Sequence, residues 1–97
     1  MRILGLDVGS KTIGVACSDA LLLTAQAVGT LKRQSRRKDC LALADICKDK
    51  EVHRIVVGKP SHMNGDKSAN TEKIEQFVEE LKKTVPQTEI VWWDERL

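Results

Sequence analysis

Apolar and polar positions alternate with period two at the start of the chain. From Arg2 to Val8, Leu4, Leu6 and Val8 fall on one face and Ile3, Gly5 and Asp7 on the other, as expected of a strand. Apolar residues on both sides of this run predict a central strand covered on both faces. Gly9-Ser10-Lys11 has turn composition. Thr12 to Ser18 then alternates again, with Ile13, Val15 and Cys17 opposite Thr12, Gly14, Ala16 and Ser18. Two such runs joined by a short turn predict a hairpin. A weaker run, Thr24 to Leu31, predicts a third strand at an edge of the sheet.

The period then changes to 3.6. Asp39 to Lys50 sets Cys40, Leu43, Ala44 and Cys47 on one stripe and predicts a helix. Val52 to Val57 reads as a buried strand, stopped by Gly58-Lys59-Pro60 and followed by the polar loop SHMNGDKS. Ile74, Phe77, Val78 and Leu81 recur at i, i+3, i+4 and i+7. They predict a second helix, capped by Ser68 or Asn70 and ended by Pro86. Glu89 to Trp93 predicts a last strand running into Asp94-Glu95-Arg96-Leu97, with Trp92 and Trp93 on alternate faces and one of them in the core. The order βββαβαβ, in a single domain over residues 1–97, predicts an α/β protein. Its five-stranded sheet should be mixed, antiparallel in the hairpin and parallel across the helical crossovers.

Composition narrows the class. With 41% hydrophobic and 31% charged residues, the chain reads as globular rather than disordered. No apolar run approaches the roughly 18 residues of a membrane span. Met1-Arg2-Ile3-Leu4 lacks the apolar core and cleavage site of a signal peptide, so a cytoplasmic protein is expected. Cys17, Cys40 and Cys47 lack zinc-type C-x-x-C spacing and are expected to be reduced core thiols. The net charge of +2 is small, but Lys32, Arg33, Arg36, Arg37 and Lys38 crowd into one segment. Placed between the third strand and the first helix, these cations are candidates for contact with backbone phosphates.

The stretch GLDVGSKT, Gly5 to Thr12, falls one residue short of a P-loop. That motif needs a second glycine where Ser10 stands and a helix after the loop. Here a strand follows, and Asp7 would repel the phosphates. A different chemistry accounts for Asp7. A lone carboxylate near the end of an apolar central strand is costly to desolvate, and Mg²⁺, which takes oxygen ligands, removes that cost. A second acidic pair, Asp94-Glu95, leaves the last strand. If the first, fourth and fifth strands are adjacent and parallel, their carboxyl ends meet at one edge, where open α/β sheets place their sites. Carboxylates gathered there can hold metal ions that orient water against a phosphodiester. Lys11, in the turn after Asp7, is a candidate phosphate contact. So are Lys59, Asn64 and Lys67 around the loop after the fourth strand, and Arg96.

Three motifs then combine. RILGLDVGSKTIGVACSD, IVVGKP followed by MNGDKS, and WWDERL, in this order, closely resemble the YqgF family, described as pre-16S rRNA nucleases and as Holliday junction resolvases. The resemblance covers essentially the whole chain. It implies a ribonuclease H-like fold with helices on the faces of the sheet, and a bacterial cytoplasmic nuclease dependent on Mg²⁺ or Mn²⁺. Its implied substrates are structured RNA (precursor rRNA) or branched DNA, with ribosomal precursors as partners. The first catalytic, metal-binding acid falls on Asp7 and the second on Asp94 or Glu95. Family members continue past D-E-R-L into a helical region that supplies a further aspartate. This chain is therefore expected to be C-terminally truncated relative to the family and to lack that helix, and sheet surface so exposed would invite a homodimer. A nucleic-acid-binding module with an incomplete acid set is the non-catalytic alternative.

Overall fold

Among the described residues, seven elements run in the expected order. They are β1 (Arg2–Val8), β2 (Thr12–Ser18), β3 (Ala25–Lys32), α1 (Arg36–Asp49), β4 (Val52–Lys59), α2 (Ala69–Thr84) and β5 (Glu89–Asp94). The computed structural model describes residues 2–18, 25–59 and 69–94. The strands form one sheet in the order β3-β2-β1-β4-β5. β1 pairs antiparallel with β2, and β2 with β3. β1 pairs parallel with β4, and β4 with β5. The mixed sheet is as the pattern predicts, β3 is an edge, and β1, β4 and β5 end along one border.

Burial follows the alternation. Leu4, Leu6 and Val8 of β1, Ile13, Val15 and Cys17 of β2, and Ile55 and Val57 of β4 share one face. They pack against Cys40, Leu43 and Cys47 of α1 and Ile74, Phe77, Val78 and Leu81 of α2. Fully burying a side chain of the Val, Leu, Ile or Phe class stabilises by about 1.5–3 kcal/mol, so this two-layer core carries the fold. Both helices lie on this face. The opposite face presents Ile3, Gly5, Asp7, Gly14, Ala16, Val56 and Gly58, and among the described residues no helix covers it. The expectation of a doubly covered β1 is thus met on one side. Gly5, Gly14 and Ala16 offer a second layer little apolar area to bury.

The first helix starts three residues before Asp39. Ser35, in an extended conformation (φ −142°, ψ 159°), is the N-cap. Its Oγ accepts from the Lys38 amide at 3.1 Å, which satisfies one of the orphan donors of the first turn. The basic run is therefore not a loop: Arg36, Arg37 and Lys38 form the opening turn of α1. Asp39, the first acid in that turn, offsets the cations that the helix dipole disfavours there. The second helix begins at Ala69, which places Asn70 inside it rather than at its cap; Ser68 lies outside the described residues. β4 continues two residues past Val57 because β5 gives it partners, Gly58↔Trp93 and Lys59↔Asp94. Neither tryptophan is in the core: Trp92 is 40% and Trp93 58% exposed. β5 is the outer strand and leaves both at the sheet's margin.

All three cysteines are free and buried, as expected. Burial, reinforced by the Glu80 and Asp39 carboxylates, pushes the Cys40 thiol up to about 11 from 9.0. Burial, with Cys17 nearby, also pushes Cys47 up to about 11. Both thiols stay protonated and shielded at neutral pH, and the thiolate is the reactive form. Native protein at pH 7.5 is expected to resist iodoacetamide at Cys40 and Cys47, and to react at both once unfolded in guanidinium, as read by mass spectrometry. Because the folded-state values are raised, their contribution is fully present below pH 9 and is lost as pH climbs through 11.

Candidate active site

The sheet register builds a row across the open face. Asp7 pairs with Gly14, and Gly14 with Thr30. On the other side, Leu6↔Val57 and Val57↔Trp92 are followed by Gly58↔Trp93, which aligns Gly58 and Trp93 with Asp7. The row therefore reads Thr30, Gly14, Asp7, Gly58, Trp93. Its exposed carboxylate stands between two positions without side chains. A Cβ on Gly14 would sit 3.6 Å from the Asp7 Cβ, so glycine there keeps one flank of the carboxylate clear. With strands about 4.8 Å apart, the end of β5 lies about 10 Å from Asp7 across the bare backbone of Gly58. A hard oxygen donor with open flanks suits a divalent cation and its waters. Among the described residues, no cluster of three His, Cys, Asp or Glu side chains completes a metal site.

The turn that follows Asp7 is tied down from behind. Gly9 donates its amide to the Thr12 carbonyl at 2.8 Å, and the Arg33 amide donates to the Lys11 carbonyl at 2.9 Å. The Arg33 side chain reaches back to the same turn, with Nη1 donating to the Gly9 carbonyl at 2.8 Å. Its Nε donates to Asp39 Oδ2 at 2.8 Å. Asp39 also accepts from the Gln34 amide at 3.0 Å, and it is 4% exposed. The guanidinium lies over the Phe77 ring, 5.1 Å from its centroid.

The candidate phosphate-binding residues divide into three groups. Lys11, Lys32, Arg36, Arg37 and Lys38 are exposed, with Arg36 Nη2 within 3.4 Å of Gln76 Oε1. Arg33 is turned inward, and two of its donors are committed to Asp39 and Gly9. Lys59 and Asp94 are register partners at the ends of β4 and β5; their side chains lie outside the described set, as do residues Asn64, Lys67, Glu95 and Arg96. Asp39 and Ser35 were not among the candidates from sequence. The signal for them was local: a serine ahead of a helical stripe, with an acid four residues on.

A mixed β3-β2-β1-β4-β5 sheet with an acid at the end of its central strand defines a ribonuclease H-like domain. Thermus thermophilus RuvC in complex with Holliday junction substrate shares the fold at TM-score 0.66 and 11% identity, over 99% of this chain and 66% of that one. Fowlpox virus resolvase bound to Holliday junction DNA matches at TM-score 0.56 and 16% identity, over 100% of this chain and 62% of that one. At these identities the likeness speaks for the fold alone. The family is set by sequence: the model for RuvX, Holliday junction resolvase, matches residues 1–97, and the chain belongs to this family. A Clostridium tetani protein named "Putative pre-16S rRNA nuclease" is 50% identical over 97 residues, which are 100% of this chain and 70% of that protein.

Proposed function

We propose that this chain is the ribonuclease H-like core of a cytoplasmic, metal-dependent nuclease. Its reaction is hydrolysis of phosphodiester bonds in structured nucleic acid, in 5′-end processing of the 16S rRNA precursor. The observation that carries this reading is the exposed Asp7 carboxylate, set between Gly14 and Gly58 on a sheet face open to a polymer backbone.

Asp7 and one acid of the Asp94-Glu95 pair would hold Mg²⁺ or Mn²⁺. A bound divalent ion supplies a more acidic water and a counter-charge for the leaving oxygen. The protein's own part is to hold the carboxylates in place and to leave room for the backbone. Lys11, in the turn after the acid, together with Lys32 at the end of β3 and Arg36, Arg37 and Lys38 in the first turn of α1, would contact flanking phosphates. Such contacts make binding salt-dependent and indifferent to sequence. Lys59, Asn64, Lys67 and Arg96 are assigned the same role.

A second reading, cleavage of branched DNA, has the family description in its favour. The test offers both substrates with Mn²⁺, a 5′-extended 16S precursor fragment and a four-way junction, and follows the products on sequencing gels. Cleavage of the precursor near the mature 5′ end, with the junction intact, is the expected result. Symmetric nicking of the junction alone would transfer the assignment to the second reading. Salt-sensitive binding with neither substrate cut would identify a binding module.

A further inference from the structure

We propose that Arg33 is a positioning residue for Asp7 and Lys11, acting through the backbone of the turn between them; this rests on the reading of Asp7 as a metal-binding acid. One residue holds both sides of that turn. The Arg33 side chain takes the Gly9 carbonyl and its amide takes the Lys11 carbonyl. Asp7 stands two residues before Gly9 and is paired with Gly14 in the sheet, so the guanidinium fixes the turn just beyond the strand end that carries the acid.

The guanidinium has little freedom to let go. Its Nε is on the buried Asp39 carboxylate and its face is against Phe77. Swinging outward would strand that carboxylate in the protein interior, which is costly. A cleft of about 250 Å³ adjoins the turn, lined by Gly9, Ser10, Arg33, Gln34, Asp39, Lys73 and Ile74. Beside this cleft the turn is held by hydrogen bonds, its own from the Gly9 amide to Thr12 and the two from Arg33. Gly9 tightens the requirement, because a Cβ there would meet the Thr12 carbonyl oxygen at 3.0 Å. Asp39 is the partner that aims the fork.

Arg33→Lys separates this role from phosphate binding. Lysine keeps the charge and a partner for Asp39, but it has no planar fork to serve Asp39 and Gly9 together. The experiment uses amide hydrogen exchange by NMR, Mn²⁺ calorimetry, and cleavage kinetics over a salt series, on wild type, Arg33→Lys and Asp39→Asn. For Arg33→Lys, the Gly9 amide is expected to exchange faster. Mn²⁺ affinity should fall by about 10–100-fold, the usual cost of losing a group that orients a metal ligand. In the cleavage assay kcat should drop, while KM and the salt slope stay as in wild type. Asp39→Asn, which keeps an acceptor for Nε, should shift the same quantities less.

Wild-type Gly9 exchange and Mn²⁺ affinity in Arg33→Lys would overturn the proposal. So would a raised KM and a shallower salt slope at constant kcat, which would make Arg33 a substrate contact. If wild type neither binds Mn²⁺ nor cleaves, the nuclease reading fails by itself. Accelerated Gly9 exchange in Arg33→Lys would then still uphold the tie, and unchanged exchange would reject it.

Discussion

Asp7→Asn is expected to remove Mn²⁺-dependent cleavage while leaving the fold as stable as before. The two halves of that result come from one fact of geometry: Asp7 is exposed on the open face, whereas its strand neighbours Leu6 and Val8 are 4% and 7% exposed in the core. Asparagine preserves the shape and an oxygen but discards the charge that a hard dication requires. The rate should fall by about 10²–10³-fold, the loss typical when one preorganised electrostatic group is deleted from a site. That corresponds to roughly 3–4 kcal/mol of transition-state stabilisation. Stability should change by no more than about 0.5 kcal/mol, as for surface substitutions remote from the core. Calorimetric titration with Mn²⁺, cleavage rates and a thermal melt on the same preparations read all three quantities. A variant that still binds Mn²⁺ with wild-type affinity would remove Asp7 from the site. A variant that melts well below wild type would mean that the carboxylate serves the turn and not a metal.

Asp7 stood out in the sequence as a candidate because a charge inside an apolar period-two run has to be explained, and its exposure on the open face was not part of that pattern. The bounds of β1 and β2 were legible for the related reason that a clean alternation is interrupted only by Gly9-Ser10-Lys11. The start of α1 was not. Three consecutive cations weigh against a helix N-terminus, and they mask the weaker local signal that offsets them, a side-chain cap from Ser35 and an acid at Asp39. The tie behind the turn was further from view. Gly9 and Arg33 are 24 residues apart, and they meet only after β3 has paired with β2 and α1 has crossed toward β4. A basic cluster in a sequence carries no sign of which member turns inward. Here Arg33 does, because it has both a buried carboxylate and an aromatic ring within reach. The alignment of Gly58 and Trp93 with Asp7 depends on the β1–β4 and β4–β5 registers. Composition gives no access to register.

The same assembly makes Phe77 the core position where a single change should cost most. Its side chain is 1% exposed and is the largest of those fully buried. It belongs to the apolar stripe of α2, and its ring lies against the Arg33 guanidinium. Phe77→Ala leaves a cavity that a packed α1–α2 interface can only partly close, at about 3–5 kcal/mol. Loss of the cation–π contact adds about 0.5–2 kcal/mol. Against a total stability of about 5–15 kcal/mol for a domain of this size, that is enough to leave a sizeable unfolded fraction at 37 °C. Urea unfolding followed by circular dichroism should show the midpoint lowered by at least about 2 M, for a slope of roughly 1–2 kcal/mol per M. Phe77→Leu is the informative companion. It retains most of the apolar volume, so its midpoint should fall far less. It removes the ring face, however, and so frees the guanidinium on that side. If Arg33 depends on that face for its aim, Phe77→Leu should speed Gly9 amide exchange out of proportion to its small loss of stability. Equal protection of Gly9 in Phe77→Leu and wild type would assign the aim of the fork to Asp39 alone.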